Sequence, residues 1–151
     1  PGEVWVINAD GTDAQMLFDG IYGEGYDHLA WSPDGTSLAV PAADGGLYTV
    51  PVDGAQPWIV PGTEEWYCWS PVWSPTEDGW PLFFYSRGPD DVKGLWYVMD
   101  GSGGPSYLAG ADWGPVWSPD GDRAAVGFTD YTGDMPTTEI YFLQTCPDFW
   151  P

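Results

Sequence analysis

Residues 29–40 read LAWSPDGTSLAV, and the stretch recurs as PVWSPTEDGWPLFFYS at 71–86 and PVWSPDGDRAAVGF at 115–128. In each copy an apolar approach runs into Trp-Ser-Pro, the chain reverses, and a second apolar segment follows. The reversal has a local cause: Pro presets φ, while Asp and Gly tolerate the bend. Trp31, Trp73 and Trp117 are spaced by 42 and 44 residues. A second marker keeps nearly the same period. EVWVINADG at 3–11, GLYTVPVDG at 46–54, GLWYVMDGSG at 94–103 and TEIYFLQ at 138–144 align on Trp5, Tyr48, Trp96 and Tyr141, spaced by 43, 48 and 45 residues. Two markers with one period identify an internal repeat.

Each repeat divides into short strands. The approach to Trp-Ser-Pro is the first and SLAV, PLFFYS or RAAVGF is the second. The aromatic segment is the third, ending in a Gly-rich turn such as Asp10-Gly11, Asp53-Gly54 or Asp100-Gly101. QMLF at 15–18, PWIV at 57–60 and SYLA at 106–109 are the fourth. Short strands with regular turn signals make antiparallel sheet, and four of them in about 40 to 45 residues is the size of a propeller blade. The expected fold is therefore all-β, a single partial β-propeller domain over 1–151. Its blade repeats fall at about 1–20 (a half blade), 27–61, 69–110 and 113–146. The strands group as two, four, four and three, thirteen in all, with no helix beyond one turn. The recurring aromatics Trp5, Trp31, Tyr48, Trp73, Trp96, Trp117 and Tyr141 are expected to be largely buried between blades.

WSPDG, an apolar strand, an aromatic-x-Val segment and an Asn/Asp-Gly turn together resemble the TolB-type β-propeller repeat. The resemblance covers roughly residues 3–144. It implies architecture more than function. Such blades occur in periplasmic TolB, in the non-catalytic propellers of prolyl-oligopeptidase-like peptidases, and in secreted bacterial proteins of varied role. The middle repeat departs from the pattern, with Thr76-Glu77-Asp78-Gly79 lengthening its turn, and Leu29 stands where the others have Pro71 and Pro115. Closed propellers have about 4 to 8 blades, so an arc of about three leaves open edges and flanks. Either further chain or neighbouring subunits are expected to cover residues near 3–18 and 138–144.

Charge and composition exclude several function classes. Three basic residues against 23 acidic give a net charge of −20, which repels nucleic-acid phosphates and anionic lipid. No run approaches the roughly 18 to 20 apolar residues of a membrane-spanning helix. The 21 glycines and 16 prolines make up about a quarter of the chain, twice the usual share of about 12%. With 11 tryptophans, the chain has ample material for a core. The first residue is Pro1 and no signal peptide is visible, which reads as a processed chain, an excised domain or a portion of a longer protein. Acidity with abundant Trp and Tyr is compatible with an extracellular protein, and the location expected is extracellular or periplasmic.

Catalytic chemistry finds no constellation. His28 is the one histidine, and no G-x-S-x-G elbow accompanies it. Ser32, Ser74 and Ser118 recur in every blade, which marks turn structure rather than a nucleophile needed once. No enzyme activity and no cofactor are expected. The Asn8–Asp13 loop superficially resembles an acidic calcium loop, but it lacks the spaced acids and terminal Glu of an EF-hand, so a hairpin turn is the main reading and calcium the alternative. Three aligned loops, 21–28, 62–70 and 110–114, all lead into first strands and would share one face. They carry Tyr22, Glu24, Tyr26, Asp27 and His28, then Glu64, Glu65, Trp66, Tyr67 and Trp69, then Asp112 and Trp113. Exposed acids beside aromatics suit a protein interface or a sugar.

The function expected is a non-enzymatic propeller module acting by protein contact, as a scaffold, adhesin or assembly subunit, with a filament as one form. The alternatives are a carbohydrate-binding lectin or the propeller of a prolyl-oligopeptidase-like peptidase. Cys68 is placed in a loop and Cys146 two residues past a third strand, on the opposite face. A strand of six residues spans about 20 Å, whereas a disulfide tolerates a Cα separation of about 7 Å. An inter-chain bond is one option, beside a folded-back intrachain bond or free thiols.

Overall fold

The computed structural model describes residues 2–21, 29–76, 81–99, 103–130 and 136–144. They form thirteen strands in four sheets, and every strand pairing is antiparallel. The first sheet holds β1 (Gly2–Val6) and β2 (Gln15–Ile21). The second holds β3 (Ala30–Trp31), β4 (Ser37–Pro41), β5 (Leu47–Pro51) and β6 (Trp58–Ile59), side by side in chain order. The third holds β7 (Tyr67–Trp73), β8 (Leu82–Arg87), β9 (Lys93–Val98) and β10 (Ser106–Ala109). The fourth holds β11 (Trp113–Trp117), β12 (Arg123–Asp130) and β13 (Thr137–Gln144). Two, four, four and three is the grouping read from the repeat, and the all-β blade architecture stands. Helix among the described residues is limited to one 3-10 turn at Pro89–Asp91.

The Trp-Ser-Pro-Asp-Gly turns explain the recurring serines. The amide of Ser37 donates to Ser32 Oγ, and Ser32 Oγ donates to Asp34 Oδ1 at 2.6 Å. The pattern repeats at Ser118, whose Oγ accepts from Arg123 N–H at 3.0 Å and donates to Asp120 at 2.5 Å. Gly35 closes the first turn with φ +70, a conformation costly for any residue with a Cβ. The Ser32 hydroxyl, then the Thr36 amide, hold the Asp34 carboxyl below the ordinary carboxylate range, and Ser118 and the Asp122 amide do the same for Asp120. A carboxyl with a lowered folded pKa stabilises the fold above its unfolded value, about 3.9, and that contribution is lost as pH falls through the lower folded value. Between pH about 6 and about 3 the melting temperature of the wild type should therefore fall relative to that of an Asp34→Asn, Asp120→Asn double variant, a comparison in which the relief of charge repulsion by acid is largely common to both; an unchanged difference would show that these turns carry none of it.

Three apolar clusters mark three junctions between successive sheets. Val4, Leu17, Phe18 and Ile21 of the first sheet meet Leu38, Val40 and Val50 of the second. Ala39 and Leu47, on the other face of the second sheet, meet Cys68, Trp73, Leu82, Phe84, Trp96 and Val98 of the third. Phe83, Tyr85 and Leu95 then meet Val126, Trp117 and Phe128 of the fourth. Adjacent residues such as Phe83 and Phe84 serve different junctions because strand side chains alternate between faces. Each sheet thus has an inner-type flank turned to the preceding sheet and an outer-type flank turned to the next.

The burial expected of the recurring aromatics holds for Trp73 and Trp96, and in part for Tyr48 and Trp117. It fails for Trp5, Trp31 and Tyr141. Trp31 is 53% exposed, whereas its equivalent Trp73 is 9% exposed. The cause lies in the preceding sheet: Trp73 Nε1 donates to the carbonyl of Ala30 on β3 at 3.2 Å, a first strand. Among the described residues the sheet before Trp31 has two strands, equivalent to the third and fourth, so no such surface lies beneath that ring. Trp5 sits on the inner-type flank of the first sheet, which no other described sheet covers. Tyr141 keeps its contact with Phe128, 5.1 Å between ring centroids. Among the described residues it has no fourth-strand neighbour like Tyr107, which stands 5.1 Å from Trp96 in the third sheet.

Candidate functional site

Strand direction sorts the connections onto two faces. The fourth-to-first and second-to-third connections share an upper face; the Trp-Ser-Pro turns and the Asp-Gly turns share the lower one. The carbonyl of Gly20, near the end of β2, accepts the Ala43 amide at 2.7 Å, tying the upper ends of the first two sheets together. A cleft of about 560 Å³ opens there, lined by Phe18, Asp19, Gly20, Ala43, Asp44 and Tyr48. Its floor is the tilted Phe18–Tyr48 pair, with centroids 5.1 Å apart, and both aspartates are exposed at its rim.

The next connection continues the same surface. The carbonyl of Trp66 accepts the Gly46 amide at 2.7 Å. Gly45 has φ +98, and a Cβ there would stand 3.0 Å from Glu65 Cα, so this close approach requires glycine. Thr63 is fully buried beneath: its hydroxyl donates to the Val60 carbonyl at 2.7 Å and accepts the Leu47 amide at 3.0 Å. Glu64 and Glu65 are thereby held outward on an anchored loop. The cleft acids Asp19 and Asp44 lie outside the loops that lead into first strands, so an alignment of those loops does not contain them. The second-to-third connection AADGG at 42–46 faces the same side, and counting strand reversals would have found it.

The predicted site residues fall into three groups. Tyr22, Glu24, Tyr26, Asp27 and His28 lie outside the described residues. Glu64, Glu65 and Asp112 are exposed in upper connections. The aromatics divide. Trp66 is half-buried with its ring edge-on to Trp96, 4.8 Å between centroids, and Trp69 is half-buried, stacked 6.1 Å from Tyr85. Those two belong to the sheet junctions rather than to the face. Tyr67 and Trp113 remain largely exposed. The sequence pattern assigns Tyr67, Trp69 and Trp113 to loops, but they lie within β7 and β11 because pairing extends upward to Tyr67↔Arg87 and Trp113↔Gly127. Asp112 accepts the Thr129 amide at 2.7 Å. With burial, its charge raises the Tyr85 hydroxyl above the ordinary tyrosine range, and that buried hydroxyl has no partner among the described residues.

Cys68 also departs from the loop expectation. It is buried in β7 among Leu82, Phe84 and Trp96, and its sulfur lies 3.8 Å from Ser86 Oγ. That placement works against an inter-chain bond through Cys68, which needs the sulfur at a surface. Cys146, the other half of the expected pair, lies outside the described residues. Burial pushes the Cys68 thiol from 9.0 up to about 12, so the reactive thiolate is scarce at neutral pH. In a Cys146→Ala background, Cys68 should resist a thiol reagent at pH about 8 until denaturant is added. Rapid labelling of the native protein would contradict the burial.

At the Asn8–Asp13 turn the chain closes on itself: Asp10 Oδ1 accepts from both the amide and the hydroxyl of Thr12, at 3.0 and 2.7 Å. Among the described residues no three His, Cys, Asp or Glu side chains cluster to hold a metal. No helix there is long and apolar enough to cross a membrane.

The sequence matches no protein-family description and no curated protein. Among solved structures, it is similar to a protein assigned as a TolB from Agrobacterium tumefaciens, with a TM-score of 0.64 and 20% identity. The similarity covers 94% of this chain and 50% of that one, so the chain spans about half the length of that relative. At this identity the likeness is one of fold: these sheets are TolB-like propeller blades.

Proposed function

We propose that this is a non-enzymatic propeller module of an extracellular or periplasmic protein, acting by contact with another protein through its upper face. The observation that carries the reading is the continuous surface on that face. An aromatic-floored cleft with Asp19 and Asp44 at its rim adjoins an anchored loop presenting Glu64 and Glu65. A rigid scaffold presenting exposed loops is the usual way a fold carries recognition. Acids on an aromatic-floored cleft suit basic side chains of a partner, by charge pairing and by cation–π contact. The net charge of −20 would steer such a partner at low salt. A lectin reading uses the same rings for sugar stacking.

A benzophenone amino acid at Tyr67 or Glu64 tests the reading, with one at Asp53 on the lower face as control. Irradiation in cells that express the protein should give a discrete protein adduct from the upper-face positions and none from Asp53. Adducts of equal yield from both faces would defeat it. Saturable quenching of tryptophan fluorescence by a defined sugar, without a protein adduct, would replace it with the lectin.

A further inference from the structure

The strand registers make the flanks of successive sheets comparable residue by residue. In the third sheet, Trp69 pairs with Tyr85 and Tyr85 with Leu95; Val72 pairs with Phe83 and Phe83 with Tyr97. In the fourth sheet the corresponding chains are Trp113, Gly127 and Ile140, and Val116, Ala125 and Phe142. In the second sheet Leu47, paired with Pro41, takes the place of Leu95 and Ile140. Leu47 and Leu95 are 0% exposed beneath the next sheet, yet Ile140 is 66% exposed. Trp113, Val116 and Phe142 are exposed beside it. Ile140, Trp113 and Val116 line an apolar hollow of about 210 Å³ that also includes Ala125, Gly127 and Thr138. Among the described residues no charged side chain lines it. The outer-type flank of the fourth sheet is therefore a sheet-junction surface that no sheet covers among the described residues.

The opposite end of the molecule carries the complementary type. Ile7 aligns with Val50 and Val98 of the inner-type flanks, which are 0% and 1% exposed, but Ile7 is 55% exposed. Trp5 and its cross-strand partner Met16 are exposed on the same flank, where Glu3 accepts the Trp5 indole N–H at 2.9 Å.

We propose that the outer flank of the fourth sheet, centred on Ile140 and Phe142, docks the inner flank of the first sheet, Trp5, Ile7 and Met16, of a second copy of this chain. All three junctions inside the molecule join an outer-type to an inner-type flank, so this contact continues an established interface. The contact is heterologous: the two patches differ, and the same pair is used each time. Two copies would bring together eight sheets, within the range of about 4 to 8 blades of closed propellers. Two chains of −20 each repel one another, so association strengthens with salt, which screens that repulsion. The contact centres on Ile140 and Phe142 and shares only Trp113 with the upper-face candidates, while the tests of the partner reading use Tyr67 and Glu64, so the two stand or fall separately.

Sedimentation velocity from about 0.05 M to about 1 M NaCl reads the result. The expected mass rises to about twice the single chain's 16.5 kDa as salt increases. Ile140→Asp and Trp5→Asp should each sediment as single chains. An equimolar mixture of the two should form a pair again, because one intact flank of each kind remains. Both positions are exposed on the single chain, and circular dichroism confirms that the variants fold; Phe142→Asp and Met16→Asp replace either one that does not. A wild-type single chain at every salt concentration overturns the proposal. So does a mixture that stays apart, or a pair that survives in either variant alone.

Discussion

Replacing Trp73 by alanine lowers the free energy of unfolding by about 3 to 5 kcal/mol, the range for removing a large core aromatic. The ring is 9% exposed, packs in the central cluster with Phe84 and Trp96, and gives its N–H to Ala30 across the junction. The truncation therefore empties a cavity and orphans a carbonyl at one place. The same change at Trp31 should cost no more than about 0.5 to 1 kcal/mol, as for surface positions, since that ring is half in water. Urea unfolding of both variants checks the pair of values. Equal losses would show that the two tryptophans are equivalent in environment as well as in sequence, and would contradict the sheet arrangement.

Leu95→Ala is expected to destabilise by about 2 to 5 kcal/mol, as buried leucines do. Leu95 is fully buried where Phe83 and Tyr85 meet Val126. Its register equivalent Ile140 should lose less than about 1 kcal/mol when replaced by alanine, measured at concentrations that keep the chain single. Denaturant midpoints again decide, and the prediction fails if Ile140→Ala approaches the loss at Leu95. The contrast separates what the repeat pattern assigns to a position from what neighbouring sheets make of it.

The strand grouping was legible because its signals are local. Trp-Ser-Pro-Asp-Gly carries its own turn chemistry, and the Ser32 and Ser118 hydrogen bonds within those turns need nothing from elsewhere. The upper face was half legible. Glu64, Glu65 and Asp112 could be placed by aligning loops, but the cleft between Phe18 and Tyr48 arises from two sheets meeting, which no single repeat encodes. Trp66 and Trp69 looked like members of that face because aromatic residues near loops read alike whether they point to water or to a neighbouring sheet. Their partners, Trp96 and Tyr85, lie 30 and 16 residues further along the chain.

By itself the sequence determined the all-β class, the repeat, the two-four-four-three grouping of strands, and a charge that repels phosphates. Each follows from interactions within a few residues or from composition. Tertiary structure decided which equivalent aromatics are buried, that Cys68 is a core thiol, and where the acids gather around a cleft. Burial belongs to a pair of surfaces rather than to a residue. Trp31 and Trp73, or Leu95 and Ile140, share a strand position, and differ only in whether another sheet lies against them.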